Sequence, residues 1–362
     1  MNIESTENQR MFADVAKRVF SAIPFPSTIV EDSKRAQKIP NWVSTMFDAQ
    51  LLGVCAPERV GGLGLGIADT LPIVIEAGSA VVPFPVSETL AAAKMLAGWQ
   101  DGLAADLLNG KRSCAIADVL DARLVRRNEW WVLTGTCEPT SWAMESDFLL
   151  LPHVSIGDGD TVTVLTSLSA LGCKRTRLQS IDLTHSSALV YFDDVLIDPS
   201  HLVTGIGDKL THLMALFVTA EMLGAARTAF RLATEYMMLR EQFGHVIGKN
   251  QVLKHIAADA LVRLESLTLA LDFAAWSMDS GSADGGSAVS VAKSYGGDAA
   301  RKVAEDSIQI HGGIGFTWDL GLHHYLRRIL RCAATFGNAT DHRSHLSGAL
   351  ERNRGLTFPI IH

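Results

Sequence analysis

Between about residues 111 and 200 the chain changes texture, and that change constrains the fold more than any other feature. Short β-branched and aromatic runs appear there: SCAIADV, ARLVRR, EWWVLTG, FLLLPHV, TVTVLTS and SALVYFDDVLI. Polar turns such as IGDGD separate them. Runs of that length at that spacing predict a small antiparallel barrel or sandwich. On both sides apolar residues recur at intervals of three and four, which is the helical period. The chain therefore divides into an N-terminal helical domain (1–110), a middle β domain (111–205) and a C-terminal four-helix bundle (206–362). The class is α+β.

Residues 4–22 read as a helix with Phe12, Val15, Ala16, Val19 and Phe20 on one stripe, closed by Pro24 and Pro26. A second helix is predicted over 42–53. The glycine run at 61–66 reads as a tight loop, and no Lys-Ser/Thr follows it, which excludes a Walker loop. In the last third, helices are predicted over 213–238, 252–278, 288–311 and 322–334. The second of these carries Ile256, Ala260, Leu264, Leu267 and Leu271 on one face. The polar run 279–287 reads as a linker.

Composition narrows the function classes. With 48% hydrophobic residues among 362, the chain has ample material for a core. A formal charge of -7 gives no general attraction to nucleic acid or to an anionic membrane. Five cysteines, Cys55, Cys114, Cys137, Cys173 and Cys332, are scattered without metal spacing, so no metal is expected and a reducing compartment is. The first ten residues lack the apolar run of a signal peptide, and no stretch of 18 uninterrupted apolar residues occurs. The expected setting is the cytoplasm.

Two stretches carry chemistry. The first is YMMLREQFGHVIGKNQ, Tyr236 to Gln251. Arg240 offers a planar cationic fork suited to phosphate. Gln242 adds an amide, Phe243 a flat apolar face, and Gly244 and Gly248 permit a chain reversal. The second is IQIHGGIGF, Ile308 to Phe316, in which Gln309 leads into Gly312 and Gly313. A phosphate-bearing planar cofactor suits both. Each alone also reads as an ordinary feature, a solvated helix face or a helix stop.

Together and in this order they resemble the acyl-CoA dehydrogenase family. Arg240-Glu241-Gln242-Phe243-Gly244 matches its Arg-x-Gln-Phe-Gly stretch, and Gln309 to Gly315 matches its Gln-x-x-Gly-Gly-x-Gly stretch. Residues 54–90 resemble the family's first-domain signature, a Gly-Gly-x-Gly loop, then Asp69, then a helix with Glu76, Ala77 and Gly78. The resemblance implies FAD as cofactor and an acyl-CoA thioester as substrate. It assigns Arg240 to the FAD pyrophosphate, Gln242 and Phe243 to the adenosine side, and Gln309, Gly312 and Gly313 to the ADP portion. In this family both stretches serve the flavin of the neighbouring subunit.

The same resemblance exposes a set of losses. The family's reaction needs a carboxylate base. Where many members carry it, this chain has Phe336; at the alternative helical position it has Met214, followed by Ala215 in place of a CoA-gripping Arg. The flavin-contacting stretches of the β domain read Ala117-Asp118-Val119-Leu120-Asp121-Ala122 and Gly135 to Trp142, with Cys137 in place of a Lys. Trp142 is expected to be a buried aromatic. Everything lost belongs to the site a subunit builds for itself, and everything retained is lent to its neighbour. Random decay would not sort residues in this way. The chain thus resembles the subunit lacking the catalytic Glu in heteromeric α2β2 steroid side-chain enzymes. The implied partners are a second subunit that carries the Glu and an electron-transfer acceptor. Two alternatives stand beside this reading: a self-sufficient enzyme with a relocated base, Glu221 or Asp341, and a scaffold of the same fold that uses no flavin.

Overall fold

The computed structural model describes residues 4–23, 41–118, 120–157 and 159–354. Helix α1 (Glu7–Ser21) opens with a capping box in which Thr6 Oγ1 accepts from the Gln9 amide and Gln9 Oε1 accepts from the Thr6 amide. Its buried stripe is Phe12, Ala16 and Phe20; Val15 and Val19 are only partly covered. Pro24 and Pro26, expected to close it, lie outside the described residues. A short helix α2 over 41–48 ends earlier than the expected residue 53, where Gln50 takes a positive φ of 57°.

Three helices follow: α3 (Ile67–Ser79), α4 (Val86–Leu96) and α5 (Asp101–Leu108). The glycine loop before α3 is structural. Asp279, the last residue of a helix far along the chain, accepts from the amides of Ile67 and Ala68 at 2.7 and 2.9 Å. Those are orphan donors of the first turn of α3, satisfied here by a borrowed carboxylate. A Cβ at Gly66 would lie 2.6 Å from that carboxylate, so a larger residue here would push the carboxylate aside.

The middle domain is one eight-stranded sheet. Its strands are β1 (Cys114–Ile116), β2 (Leu120–Arg127), β3 (Trp130–Ser141), β4 (Phe148–Ser155), β5 (Thr161–Ser167), β6 (Cys173–Leu178), β7 (Ser187–Ile197) and β8 (Leu202–Val203). The order is β6-β7-β3-β2-β4-β5-β8, with β1 beside β4. Pairing is antiparallel except for β1 with β4 and the single Arg123–Ser155 pair of β2 with β4. In β7 the buried residues alternate as Ala188, Val190 and Phe192, then shift parity to Val195 and Ile197. Asp194, at φ 52°, absorbs the extra residue.

The bundle comprises α6 (Gly207–Leu239), α7 (Gln251–Asp279), α8 (Gly285–His311) and α9 (Leu322–Ala334), joined by α10 (Ala339–Arg354) against α8. The predicted linker at 279–287 shrinks to residues 280–284 between α7 and α8. Helix α6 is the axis, packed by α3, α4, α7, α8 and α9. It is long and apolar enough to cross a membrane, and 83% of its most apolar window is buried inside the protein. The five cysteines are free thiols.

Helices α3 and α6 meet backbone to backbone. A Cβ on Gly224 would overlap the Ile75 carbonyl oxygen, and one on Gly78 would overlap the Glu221 carbonyl oxygen. Gly224→Ala is expected to lower the unfolding free energy by about 1–3 kcal/mol through overpacking. Gly102→Ala, where an added Cβ meets open space, is the matched control. Urea unfolding of both variants checks this, and equal midpoints would refute the close approach.

Candidate cofactor site

Helix α6 ends where Arg240 leaves helical geometry, at φ -74° and ψ 123°. A two-stranded ribbon follows, pairing Gln242 with His245 and Glu241 with Val246. The Ile247 amide donates to the Arg240 carbonyl at 2.8 Å and closes it. The reversal falls on Phe243 and Gly244, both at positive φ, 55° and 80°. Two positive φ values in a two-residue loop form a type I′ turn, whose twist matches the strands. Glycine accepts such a conformation freely, whereas Phe243 holds it at a cost of about 1–2 kcal/mol. Phe243 is also 94% exposed. Strain of this kind clusters at ligand clamps and switch regions.

Around it the polar groups are free for a ligand. Arg240 is exposed, and its guanidinium makes no hydrogen bond or ion pair with the described residues. The Gln242 amide is occupied only by the neighbouring Glu241 carbonyl, at 2.8 Å.

The second stretch lies against the first. Helices α6 and α8 run the same way, so their C-terminal ends share one end of the bundle. There Tyr236 stacks on His311, rings 4.5 Å apart and inclined by 23°. Ala233, Met237 and Ile310 form a small core beneath, with Ile247 and Leu253 against it. His311 donates from Nδ1 to the Ser307 carbonyl, which fixes its ring. Gly312 then takes φ 64° and ψ -141°, a region restricted to glycine. A single 3-10 turn, Gly312–Phe316, follows. Added Cβ atoms at Gly312 and Gly313 would meet nothing within 4 Å, so the backbone here is open to an incoming group. Gln309 is exposed on the last turn of α8. All six residues expected from the sequence, Arg240, Gln242, Phe243, Gln309, Gly312 and Gly313, thus converge on one end of the bundle. A cationic fork, an amide, a flat ring and accessible main chain are the donor set an adenosine diphosphate moiety requires.

The positions expected to hold a base are sealed. Phe336 is buried at φ 54°, and its amide donates to Asp118 Oδ1 at 2.8 Å. Its carbonyl accepts from His342 Nε2 at 2.9 Å, while His342 Nδ1 accepts from the Ser290 hydroxyl. Burial raises the Asp118 carboxyl to about 6 against the opposing Phe336 amide. Met214 and Ala215 are fully buried in the core. Trp142, as expected, is buried, with its edge toward His185 at 4.7 Å.

Neither alternative base is free. Asp341 is exposed and accepts from the Asn338 amide at 2.9 Å, while Asn338 Oδ1 accepts from the Thr340 amide. That is the reciprocal cap of α10. Glu221 accepts from Ser87 Oγ at 2.5 Å, Arg331 Nη2 at 2.9 Å and Arg328 Nη1 at 3.2 Å. Arg328 also donates to Asp182 at 2.5 Å, to Thr184 Oγ1 at 2.8 Å and to the Val82 carbonyl at 3.0 Å. Both of its oxygens are thus engaged, by a hydroxyl and by two guanidinium groups. The sequence reading did not foresee this cluster. Its signal was present in α9, where Arg328 and Arg331 fall on the same stripe as the buried Tyr325, Ile329 and Cys332.

Burial favours raising the Asp182 carboxyl, but Arg328 and Arg331 outweigh it and hold it well below the usual range. Glu88, on α4, borders the same cluster. Burial, and then the charge of Glu221, push it up from 4.5 to about 7.

The comparisons agree with this architecture. A model described as "Acyl-CoA dehydrogenase, N-terminal domain" matches residues 6–100, and one described as "Acyl-CoA dehydrogenase, C-terminal domain" matches residues 209–349. Acyl-CoA dehydrogenase FadE34 of Mycobacterium tuberculosis is 33% identical over 279 residues, covering 77% of this chain and 37% of its own length. The chain therefore spans little more than a third of that relative. Among solved structures, the Tcur3481-Tcur3483 steroid ACAD aligns at a TM-score of 0.90 with 24% identity, over 97% of this chain and 99% of its own. The ChsE4-ChsE5 complex from Mycobacterium tuberculosis aligns at 0.89 with 23% identity, over 99% and 100%.

Two outcomes follow from the buried cluster. Arg328→Met leaves Asp182 and Glu221 short of a counter-charge and is expected to cost about 3–5 kcal/mol in denaturant unfolding. Native Glu88 keeps its proton between pH 4.5 and about 7, where the unfolded chain has lost it. Its contribution to stability therefore falls as pH rises through that window and is flat above it. Glu88→Gln should raise the thermal midpoint at pH 8 more than at pH 5; an equal shift at both would show that Glu88 does not titrate in this window.

Proposed function

The chain belongs to the acyl-CoA dehydrogenase family, and from that premise we propose that it is the non-catalytic subunit of a heteromeric FAD-dependent acyl-CoA dehydrogenase. It lends its FAD cradle to a partner subunit that carries the base. The observation that carries this reading is a separation within one molecule. The sheet reaches α6 near its middle, through Asp182 and Arg328 beside Glu221. Arg240 lies about 19 residues further along the helix, or roughly 28 Å at 1.5 Å per residue. A flavin whose diphosphate sits on Arg240 is thus presented away from this chain's own sheet and toward another chain.

The surface around the cradle supports a partner. Leu239, Phe243 and Phe316 are 80%, 94% and 74% exposed, and Met238, Ile314 and Trp318 also face outward. Exposed apolar groups gathered at one end of a bundle favour association. The sealed positions support the same reading, because Phe336 and Met214 present no group able to take a proton.

In this role Arg240 holds the pyrophosphate, Phe243 and Gln242 flank the adenosine, and Gln309 with the amides around Gly312 and Gly313 closes over the ADP portion. The chemistry that bound flavin supplies is acceptance of hydride from the acyl chain, with electrons passing on to an electron-transfer protein. The substrate is a CoA thioester. A steroid side-chain acyl group is favoured by the similarity to a steroid ACAD. A self-sufficient enzyme is disfavoured because Glu221 and Asp341 are both committed to structural partners.

Co-expression with a candidate base-bearing subunit, followed by visible spectroscopy of each chain and of the pair, tests the proposal. The expected result is a flavin spectrum and acyl-CoA oxidation in the pair alone, with flavin at half the total chain concentration. Arg240→Ala should then weaken flavin retention about 10- to 150-fold, from the loss of a charge-assisted contact of roughly 1.5–3 kcal/mol. A yellow, active preparation of this chain alone would overturn the shared site. Unchanged flavin content in the Arg240→Ala pair would instead establish the scaffold reading.

A further inference from the structure

The first turn of α10 is fastened by a buried histidine. His342 is only 4% exposed. Its Nε2 lies 2.9 Å from the Phe336 carbonyl oxygen, which can only accept, so Nε2 carries a proton. Its Nδ1 lies 3.0 Å from the Ser290 hydroxyl on α8 and accepts from it. Both nitrogens are engaged, and the ring so placed is neutral.

A second proton, on Nδ1, has no welcome there. The Ser290 hydroxyl would have to reverse, and the new charge would be buried. The charges that act on the ring are cationic: Lys293 of α8, His345 of α10 and His212 of α6. Lys293 is held in place by the carbonyls of Cys332 and Ala333. Asp208, at the start of α6, acts on His212 along with His153 of β4. Arg343 of α10 is paired with Asp298 of α8. Burial thus lowers the affinity of His342 for a proton, and the three cations lower it further, against the Phe336 carbonyl.

The turn 335–338, which joins α9 to α10, is gripped from two sides. The Phe336 amide donates to Asp118 of the sheet domain at 2.8 Å, and the Phe336 carbonyl accepts from His342. Phe336 holds a positive φ of 54°, a conformation that persists only while its surroundings enforce it. The two grips answer acid differently. An imidazole that binds protons less readily in the folded chain supports folding fully above about pH 6.5 and loses that support as pH falls below it. Asp118, raised by burial from 3.8 to about 6, has the opposite sign. Once protonated, it also keeps an oxygen that can accept from the Phe336 amide. Acid therefore spares the grip on the sheet side and undoes the one on the bundle side.

We propose that α10 is a pH-sensitive latch, docked on α8 while His342 is neutral and released about the 335–338 turn when acid charges it. Release opens one wall of a cavity of about 540 Å³ that His345 and Leu346 of α10 share with His212 of α6 and Gly286 of α8. The inference is independent of the shared-flavin reading, since no cradle residue takes part in the latch.

Hydrogen exchange of the full chain, read by mass spectrometry at pH 7.5 and 5.5 and corrected for the intrinsic rate, tests this. Protection over residues 339–354 should fall about tenfold at pH 5.5, one pH unit below the ordinary histidine value, while α6 keeps its protection. His342→Gln, which can donate to the Phe336 carbonyl and carries no charge, should remove the drop. Ser290→Asp, which sets a carboxylate against Nδ1, should remove it by the opposite route. Equal protection of α10 at both pH values in the wild-type chain, a parallel loss in α6, or a drop that persists in both variants would each overturn the proposal.

Discussion

Two arginines three residues apart on α9 hold the three parts of the molecule together. Arg328 reaches Asp182 and Thr184 in the sheet domain, Glu221 on α6 and the Val82 carbonyl in the N-terminal domain. Arg331 adds a second donor to Glu221. Both are almost fully buried, as are Asp182 and Glu221. A cluster of this kind contributes little net stability compared with a well-packed apolar core, because desolvation offsets the attraction. It does fix geometry. Any other docking of the three domains strands a buried charge, so one arrangement stands well apart from its competitors.

That arrangement sets what the chain can do. The clamp fills the space among α4, α6 and α9 with paired charges, and it engages the acid on α6 that could otherwise act as a base. The close contact of Gly78 and Gly224 locks α3 onto the same helix. With its middle committed to holding domains together, α6 keeps only its C-terminal end for a ligand. There the strained Phe243 tip, Arg240, which makes no ion pair among the described residues, and the open backbone at Gly312 and Gly313 remain exposed.

Much of this was legible in the residues. Periodicity placed α6 to α9 within a few positions at nearly every end, and the β-rich texture located the sheet. The two turns were readable because they are local: a Phe-Gly turn and a Gly-Gly turn carry their backbone conformations in their own residues. Other features were not readable. The parallel pairing of β1 with β4 and the shift of parity at Asp194 depend on which strands become neighbours. The carboxylate of Asp279 at the start of α3 comes from the far end of another helix. Arg328 and Arg331 sat in a helical stripe with apolar residues, and a charged residue in such a stripe reads as an exposed flank until its partners are known.

The sequence by itself determined the helical and β segments and the two glycine turns that close α6 and α8. These follow from side-chain period, glycine conformation and residue identity, all properties of short stretches. Only the tertiary structure decided that the two turns share one end of the bundle and that Glu221 is clamped. Those facts depend on contacts between residues far apart in the chain, and such contacts are selected by the packing of whole elements rather than by any local pattern.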